Sequence, residues 1–118
     1  MTPTQRSMNF LKLKGYTPRI VEHFNHYAKV RQDLFGFIDI VALHPESKGV
    51  LGVQTTSAAN ISARVNKAMA LSVCKLWLVC GNRVEFHGWK QVNGHWTFIG
   101  QELVLGMDGE IIRLSWPV

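Results

Sequence analysis

The sequence predicts an α/β (α+β) fold in which a central mixed β-sheet carries flanking helices and the chain ends in a β-meander. Three observations lead there. Two apolar runs of strand length, residues 35–42 and 50–57, are joined by the turn sequence His44-Pro45-Glu46-Ser47-Lys48-Gly49. A helical repeat then follows, with Ile61, Val65, Ala68, Met69 and Ser72 on one face. Finally, the dipeptides Asn93-Gly94 and Asp108-Gly109 divide the C-terminal third into short hairpin-forming strands.

The chain has 118 residues, which suits one domain, 1–118, with a real core. Its 47% hydrophobic and 18% charged content is that of a globular protein and not of a disordered one. No run approaches the roughly 20 apolar residues of a membrane span. The N-terminus, Met1-Thr2-Pro3-Thr4-Gln5-Arg6, has no apolar signal-peptide core. Cys74 and Cys80 flank a predicted strand, which would hold them roughly 20 Å apart, too far for a disulfide. Both read as reduced core residues, and a cytoplasmic protein is expected. The net charge of +5 favours an anionic partner such as nucleic acid.

In chain order, residues 4–14 read as a helix with Met8, Phe10 and Leu11 as a partial apolar stripe. Thr4 is placed to cap its start and Gly15 to end it. Residues 16–24 read as a strand whose apolar part is Ile20, Val21 and Phe24, with Pro18 near its start or on an edge. Glu22 is the one acid of this segment and reads either as the solvent face of an edge strand or as a metal ligand. Residues 25–32 read as an irregular polar loop. Lys29 and Arg31 could reach a phosphate from it, and His26 and Tyr27 could stack on a base, or the loop is simply solvated. Asp33 either caps the turn into Leu34-Phe35-Gly36 or supplements a metal site.

After the second apolar run, Ser57 or Asn60 can cap the helix. Arg64 and Lys67, three residues apart, share one stripe of it. A helix N-terminus here, with Ser57, would favour a phosphate. Residues 75–80 read as a buried strand. Residues 83–89 read as a half-buried strand with Val84, Phe86 and Trp89 inward and an irregularity at Gly88. Trp89, Trp96 and Trp116 of the meander suit core or dimer packing, or base stacking. There is no phosphate-binding glycine loop, no zinc spacing among the five histidines, and no nucleophilic triad that spacing can argue.

Two polar residues stand out against their apolar surroundings. Asp39 lies among Phe37, Ile38, Ile40 and Val41, and Gln54 closes Val50-Leu51-Gly52-Val53. Burying such groups without partners costs roughly 2–7 kcal/mol for a neutral one, so they belong at strand ends that meet water, a metal or a ligand. An antiparallel hairpin would set Asp39 and Gln54 on neighbouring strands.

These residues resemble the motif of the PD-(D/E)xK (restriction-endonuclease-like) nuclease superfamily, and within it the archaeal-type Holliday junction resolvases and related phage proteins. That motif has a glycine shortly before an Asp opening an apolar strand, then a turn, then an apolar strand ending in Glu-x-Lys. Gly36-Phe37-Ile38-Asp39-Ile40-Val41-Ala42 matches the first half, and Val53-Gln54-Thr55-Thr56-Ser57 falls on the second. Gln54 stands in the place of the Glu and Thr56 in the place of the Lys. In the family the first helix often carries a further acid; here Gln5 is the nearest substitute.

The resemblance implies a single nuclease-like domain acting as a divergent Mg²⁺-dependent DNA endonuclease, with branched DNA as a candidate substrate in the manner of its relatives. Asp39, Gln54 and Thr56 would take the catalytic positions. Asp39, Gln54, the Thr55 carbonyl and Glu22 would hold Mg²⁺ or Mn²⁺, weakly, since an amide replaces a carboxylate. Lys29, Arg31, Ser57, Arg64 and Lys67 would contact DNA, and Lys29, Arg31 or Lys67 would stand in for the missing lysine. Resolvase-like relatives pair, which implies a homodimer. The alternative is a catalytically inactive nuclease-fold module that binds DNA or a protein.

Overall fold

A computed structural model describes residues 1–116. The order of elements is α1 (Pro3–Leu13), β1 (Thr17–Ile20), β2 (His23–Asn25), β3 (Val30–Gln32), β4 (Ile40–Leu43), β5 (Leu51–Ser57), a single 3₁₀ turn (Ala58–Asn60), α2 (Ile61–Met69), α3 (Ser72–Val79), β6 (Arg83–Val92), β7 (His95–Leu105) and β8 (Ile111–Trp116). Six strands form one sheet in the order β1-β4-β5-β6-β7-β8, while β2 and β3 pair only with each other. The pairing of β5 with β6 is parallel and the others are antiparallel, so the sheet is mixed. The expected α+β class and the C-terminal meander β6-β7-β8 are present.

Side-chain alternation along the strands gives the sheet two covered faces. On one, Ile40, Ala42, Leu51 and Val53 pack with Leu11 of α1. On the other, Phe37, Ile38, Val84, Phe86 and Leu103 pack with Ile61, Val65 and Ala68 of α2 and Cys74 and Leu78 of α3. Parallel neighbours such as β5 and β6 need a crossover connection, and α2 and α3 supply it.

That requirement overturns the strand expected at 75–80. The segment is helix α3, with Cys74 and Leu78, four residues apart, turned to the core, and Leu76 and Val79 left 58% and 61% exposed. A short apolar run has no period that separates strand from helix; here the topology decided. Cys74 is a buried free thiol whose pKa burial pushes up to about 11, whereas Cys80, read as core, is exposed.

Four further expectations are corrected. The strand expected over 16–24 breaks after Ile20, because Asp39 O accepts the N–H groups of both Val21 and Glu22 and the chain leaves the sheet there. The loop expected over 25–32 holds β3, which folds back on β2 with His23 opposite Gln32 and Phe24 opposite Arg31. The helix cap is Thr2 and not Thr4: Thr2 Oγ1 accepts from Gln5 N–H, and the Gln5 side chain accepts from Thr2 N–H in a capping box. Nor does Gly88 interrupt its strand. It pairs regularly with Thr56 and Ile99, and a Cβ there would come within 3.1 Å of Ala58 and Ile61, so the glycine lets the 3₁₀ turn sit close on the sheet.

Under α1 runs a buried polar chain. Trp89 Nε1–H donates to Ser7 Oγ (2.8 Å), Ser7 Oγ bonds His87 Nδ1 (2.8 Å), and His87 Nε2 meets Glu85 Oε1 (3.1 Å). Arg83 reaches the other Glu85 oxygen at 3.3 Å and the Tyr16 hydroxyl at 2.9 Å. Ser7 and His87 are fully buried beneath α1 and the aromatic rings of Phe10, Phe98 and Trp116, so this Ser-His-Glu series is a structural tie and not a nucleophilic site. Among the described residues, no buried side-chain nitrogen or oxygen lacks a partner. No helix of the described residues is long and apolar enough to cross a membrane.

Candidate functional site

Three strand registers converge on one point. In the β2–β3 ribbon His23 faces Gln32, so one step further toward the sheet Glu22 comes opposite Asp33. Leu34 bridges Ile38, so one step outward from that small loop Asp33 comes opposite Asp39. Ile20 pairs with Ile40 and Ile40 with Val53, which seats Asp39 just before β4, past the end of β1 and beside the middle of β5. The Asp33–Asp39 loop is tight: Gly36 N–H bonds Asp33 O, and Phe35 and Gly36 adopt positive φ of 55° and 83°. Gly36 meets this geometry without strain, whereas Phe35 does not. The glycine noted before Asp39 thus has a conformational reason.

As a result, ligand oxygens of Glu22, Asp33 and Asp39 all lie within 4.8 Å of one another. Asp39 is 4% exposed. Its Oδ2 accepts from Thr55 N–H at 2.8 Å. The Thr55 hydroxyl adds a longer contact at 3.4 Å and is itself held by Thr4 Oγ1 of α1 at 2.9 Å. Burial raises the Asp39 pKa from 3.8 to about 8, helped by the hydrogen bond and charge of Asp33 and the charge of Glu22, against the Thr55 N–H, which lowers it. A cation joining the three carboxyl groups would offset what holds Asp39 protonated.

The acids open onto a cleft of about 810 Å³. Thr4, Asp33, Asp39 and Thr55 line it together with Arg31, Arg64 and Lys67. Arg31 also makes a 3.7 Å ion pair with Glu22. Negative charge at the floor with cations around it is an arrangement suited to a divalent ion and the phosphate that the ion would share.

The expected site residues divide accordingly. Asp39, Glu22, Thr55, Arg31, Arg64 and Lys67 come together at the cleft, and Asp33 joins them. Gln54 does not line it: 3% exposed, it donates from Nε2 to Asp33 Oδ2 at 2.9 Å. A carboxylate only accepts, so Gln54 turns its N–H to the cluster, and it positions an acid in place of binding a metal. Thr56, at the position of the missing lysine, is buried in β5 and does not line the cleft. Lys29 sits in the turn of the ribbon and Ser57 is exposed at the end of β5, both off the cleft. The helix N-terminus is not at the cleft either; the 3₁₀ turn precedes α2, and its middle residues Arg64 and Lys67 reach in. Gln5 is spent in the capping box. Thr4, taken for a cap, and His23 are cleft residues that the sequence did not single out. Thr4 has no local signal, since its role depends on a contact 51 residues away.

No family model matches this chain, and no curated protein or solved structure is significantly similar to it. What stands is an α+β protein with a mixed six-stranded sheet and an acidic triad close enough to bind a metal.

Proposed function

We propose that this chain is a divergent Mg²⁺-dependent DNA endonuclease of restriction-endonuclease-like architecture, hydrolysing phosphodiester bonds. The observation that carries this reading is the set Glu22, Asp33 and Asp39, within 4.8 Å of one another on the floor of a cleft also lined by Arg31, Arg64 and Lys67. The donors are hard carboxylate oxygens, and Glu22 and Asp33 add negative charge beside Asp39, so the residues present fit Mg²⁺ or Mn²⁺. When bound, such an ion supplies Lewis-acid activation of water and phosphate.

The rest of the chemistry falls to the chain. Thr55 holds the Asp39 carboxylate by its backbone N–H, and Gln54 holds Asp33. Lys67 and Arg64 of α2 bind and orient the phosphate and take the part of the lysine that Thr56 replaces. The family's second acid is thus supplied from a different strand end: the charge lost at Gln54 returns through Asp33, which Gln54 touches.

Thr56 favours a second reading, a DNA-binding module without catalysis, because no cation stands in β5 beside the acids. One experiment separates the two. Purified protein with Mg²⁺ or Mn²⁺ is expected to nick plasmid or cut a four-way junction, and Asp39→Asn to abolish the cutting. Binding without cutting under every divalent ion would leave the second reading standing.

A further inference from the structure

The β2–β3 ribbon, residues 23–32, is attached to the acid cluster at both ends and packs little of its own surface. Glu22 precedes it and Asp33 follows it. Its sequence, His23-Phe24-Asn25-His26-Tyr27-Ala28-Lys29-Val30-Arg31-Gln32, contains no acid. It does expose apolar rings, with Tyr27 101% accessible at the tip and Phe24 45% accessible. A two-stranded ribbon is marginal alone in water, and exposed rings do nothing to stabilise it.

The tip nonetheless has a specified turn. Asn25 Oδ1 accepts from the N–H groups of Tyr27 (2.9 Å) and Ala28 (3.0 Å), and Asn25 O accepts from Lys29 N–H (2.7 Å). This turn presents the Tyr27 ring outward. Lower on the ribbon, Phe24 sits across from Arg31 on one face, and Phe24 packs edge-on to His26 at 5.2 Å. Arg31 and His23 then lead into the cleft.

We infer that this ribbon is the grip for unpaired bases, so that the substrate class is nucleic acid single-stranded beside the scissile phosphate; this rests on the nuclease reading for what happens at the cleft. The flat rings of Tyr27 and Phe24 stack on bases that have left a duplex, whereas an intact duplex offers only base edges in its grooves. Lys29 and Arg31 neutralise the backbone between those bases. A second copy of the chain is a poor occupant, since two acid-free ribbons would bring like charges together. A strand held on the ribbon runs down to its root, where both flanking acids belong to the cluster.

The test is fluorescence anisotropy in EDTA, which prevents cutting, with a labelled oligonucleotide of roughly 20 nucleotides, longer than one small domain needs, offered single-stranded and as a duplex. Wild type is expected to bind the single strand more tightly at matched salt. Tyr27→Ala should weaken that binding roughly tenfold and change duplex binding by less than about twofold. Lys29→Gln should lower the salt slope for the single strand by about 0.7. Tyr27 is fully accessible, so its variant should keep the wild-type circular dichroism. Equal or tighter duplex binding, no effect of Tyr27→Ala, or no binding of either form would overturn the inference. Cutting is assayed in parallel with Mn²⁺. Cutting with an ineffective Tyr27→Ala defeats the ribbon alone, and Tyr27-dependent binding without cutting defeats the nuclease alone.

Discussion

Asp39 concentrates the chemistry of this protein in one side chain. Its ordinary pKa of 3.8 rises to about 8 in the fold, chiefly through burial and then through Asp33. The folded protein therefore keeps a proton that the unfolded chain has released, and stability is lost as pH rises from about 4 to about 8. Metal-free protein should melt at lower temperature at pH 8 than at pH 5. Asp39→Asn should remove much of that slope while keeping an acceptor for Thr55 N–H. Glu102, also raised by burial and by Glu85, leaves a residual slope in both proteins. Mn²⁺ should raise the wild-type melting temperature more at pH 8 than at pH 6, and Asp39→Asn should respond weakly; scanning calorimetry reads all three. Asp39 was legible in the sequence because a carboxylate amid Phe37, Ile38, Ile40 and Val41 has no apolar rationale. Gln54 was legible for the same reason, but its role was not, since only the fold shows that its amide faces Asp33.

Among the elements, α1 does more than cover a face of the sheet. Ser7 and Thr4, one turn apart, attach it to β6 and β5 through His87, Trp89 and Thr55. Ser7→Ala would leave Trp89 Nε1–H and His87 Nδ1 buried without a partner, and should destabilise the protein by about 1–3 kcal/mol, read as a lower urea midpoint at an unchanged m-value. The C-terminal end of α1 at Gly15, the β4–β5 hairpin, the buried face of α2 and the two meander turns were legible, because a terminal glycine, periodicity and Asn-Gly or Asp-Gly turns are local signals. The ribbon and α3 were not. Val30-Arg31-Gln32 has no alternation and forms a strand only because it meets His23-Phe24-Asn25. The apolar run of α3 fits either period, and the parallel β5–β6 pair settled it.

On the scale of the whole molecule, the sheet separates its tasks. The α1 face and the α2–α3 face bury the apolar strands, while the functional groups collect where β1 ends, β4 begins and the ribbon departs, beside the middle of β5. Composition indicated one globular body with a basic balance, and three of its 13 Lys and Arg, namely Arg31, Arg64 and Lys67, line the cleft with the acids. What no composition could give is that Glu22, Asp33 and Asp39, spread over 18 positions of the chain, meet because three registers each advance by one step.

The attachment of the ribbon at both ends to that cluster carries a thermodynamic consequence. An ion clasped between Glu22 and Asp33 would fix the angle at which the ribbon leaves the sheet, and a strand lying along the ribbon would in turn fix the spacing of those two carboxylates. The two equilibria are then linked, and linkage is symmetric: by whatever factor Mn²⁺ tightens the oligonucleotide, the oligonucleotide must tighten Mn²⁺. Paired titrations of the wild-type protein at low temperature, Mn²⁺ with and without the oligonucleotide and the oligonucleotide with and without Mn²⁺, would measure that common factor, and a factor of one would mean that ribbon and ion do not share a hinge.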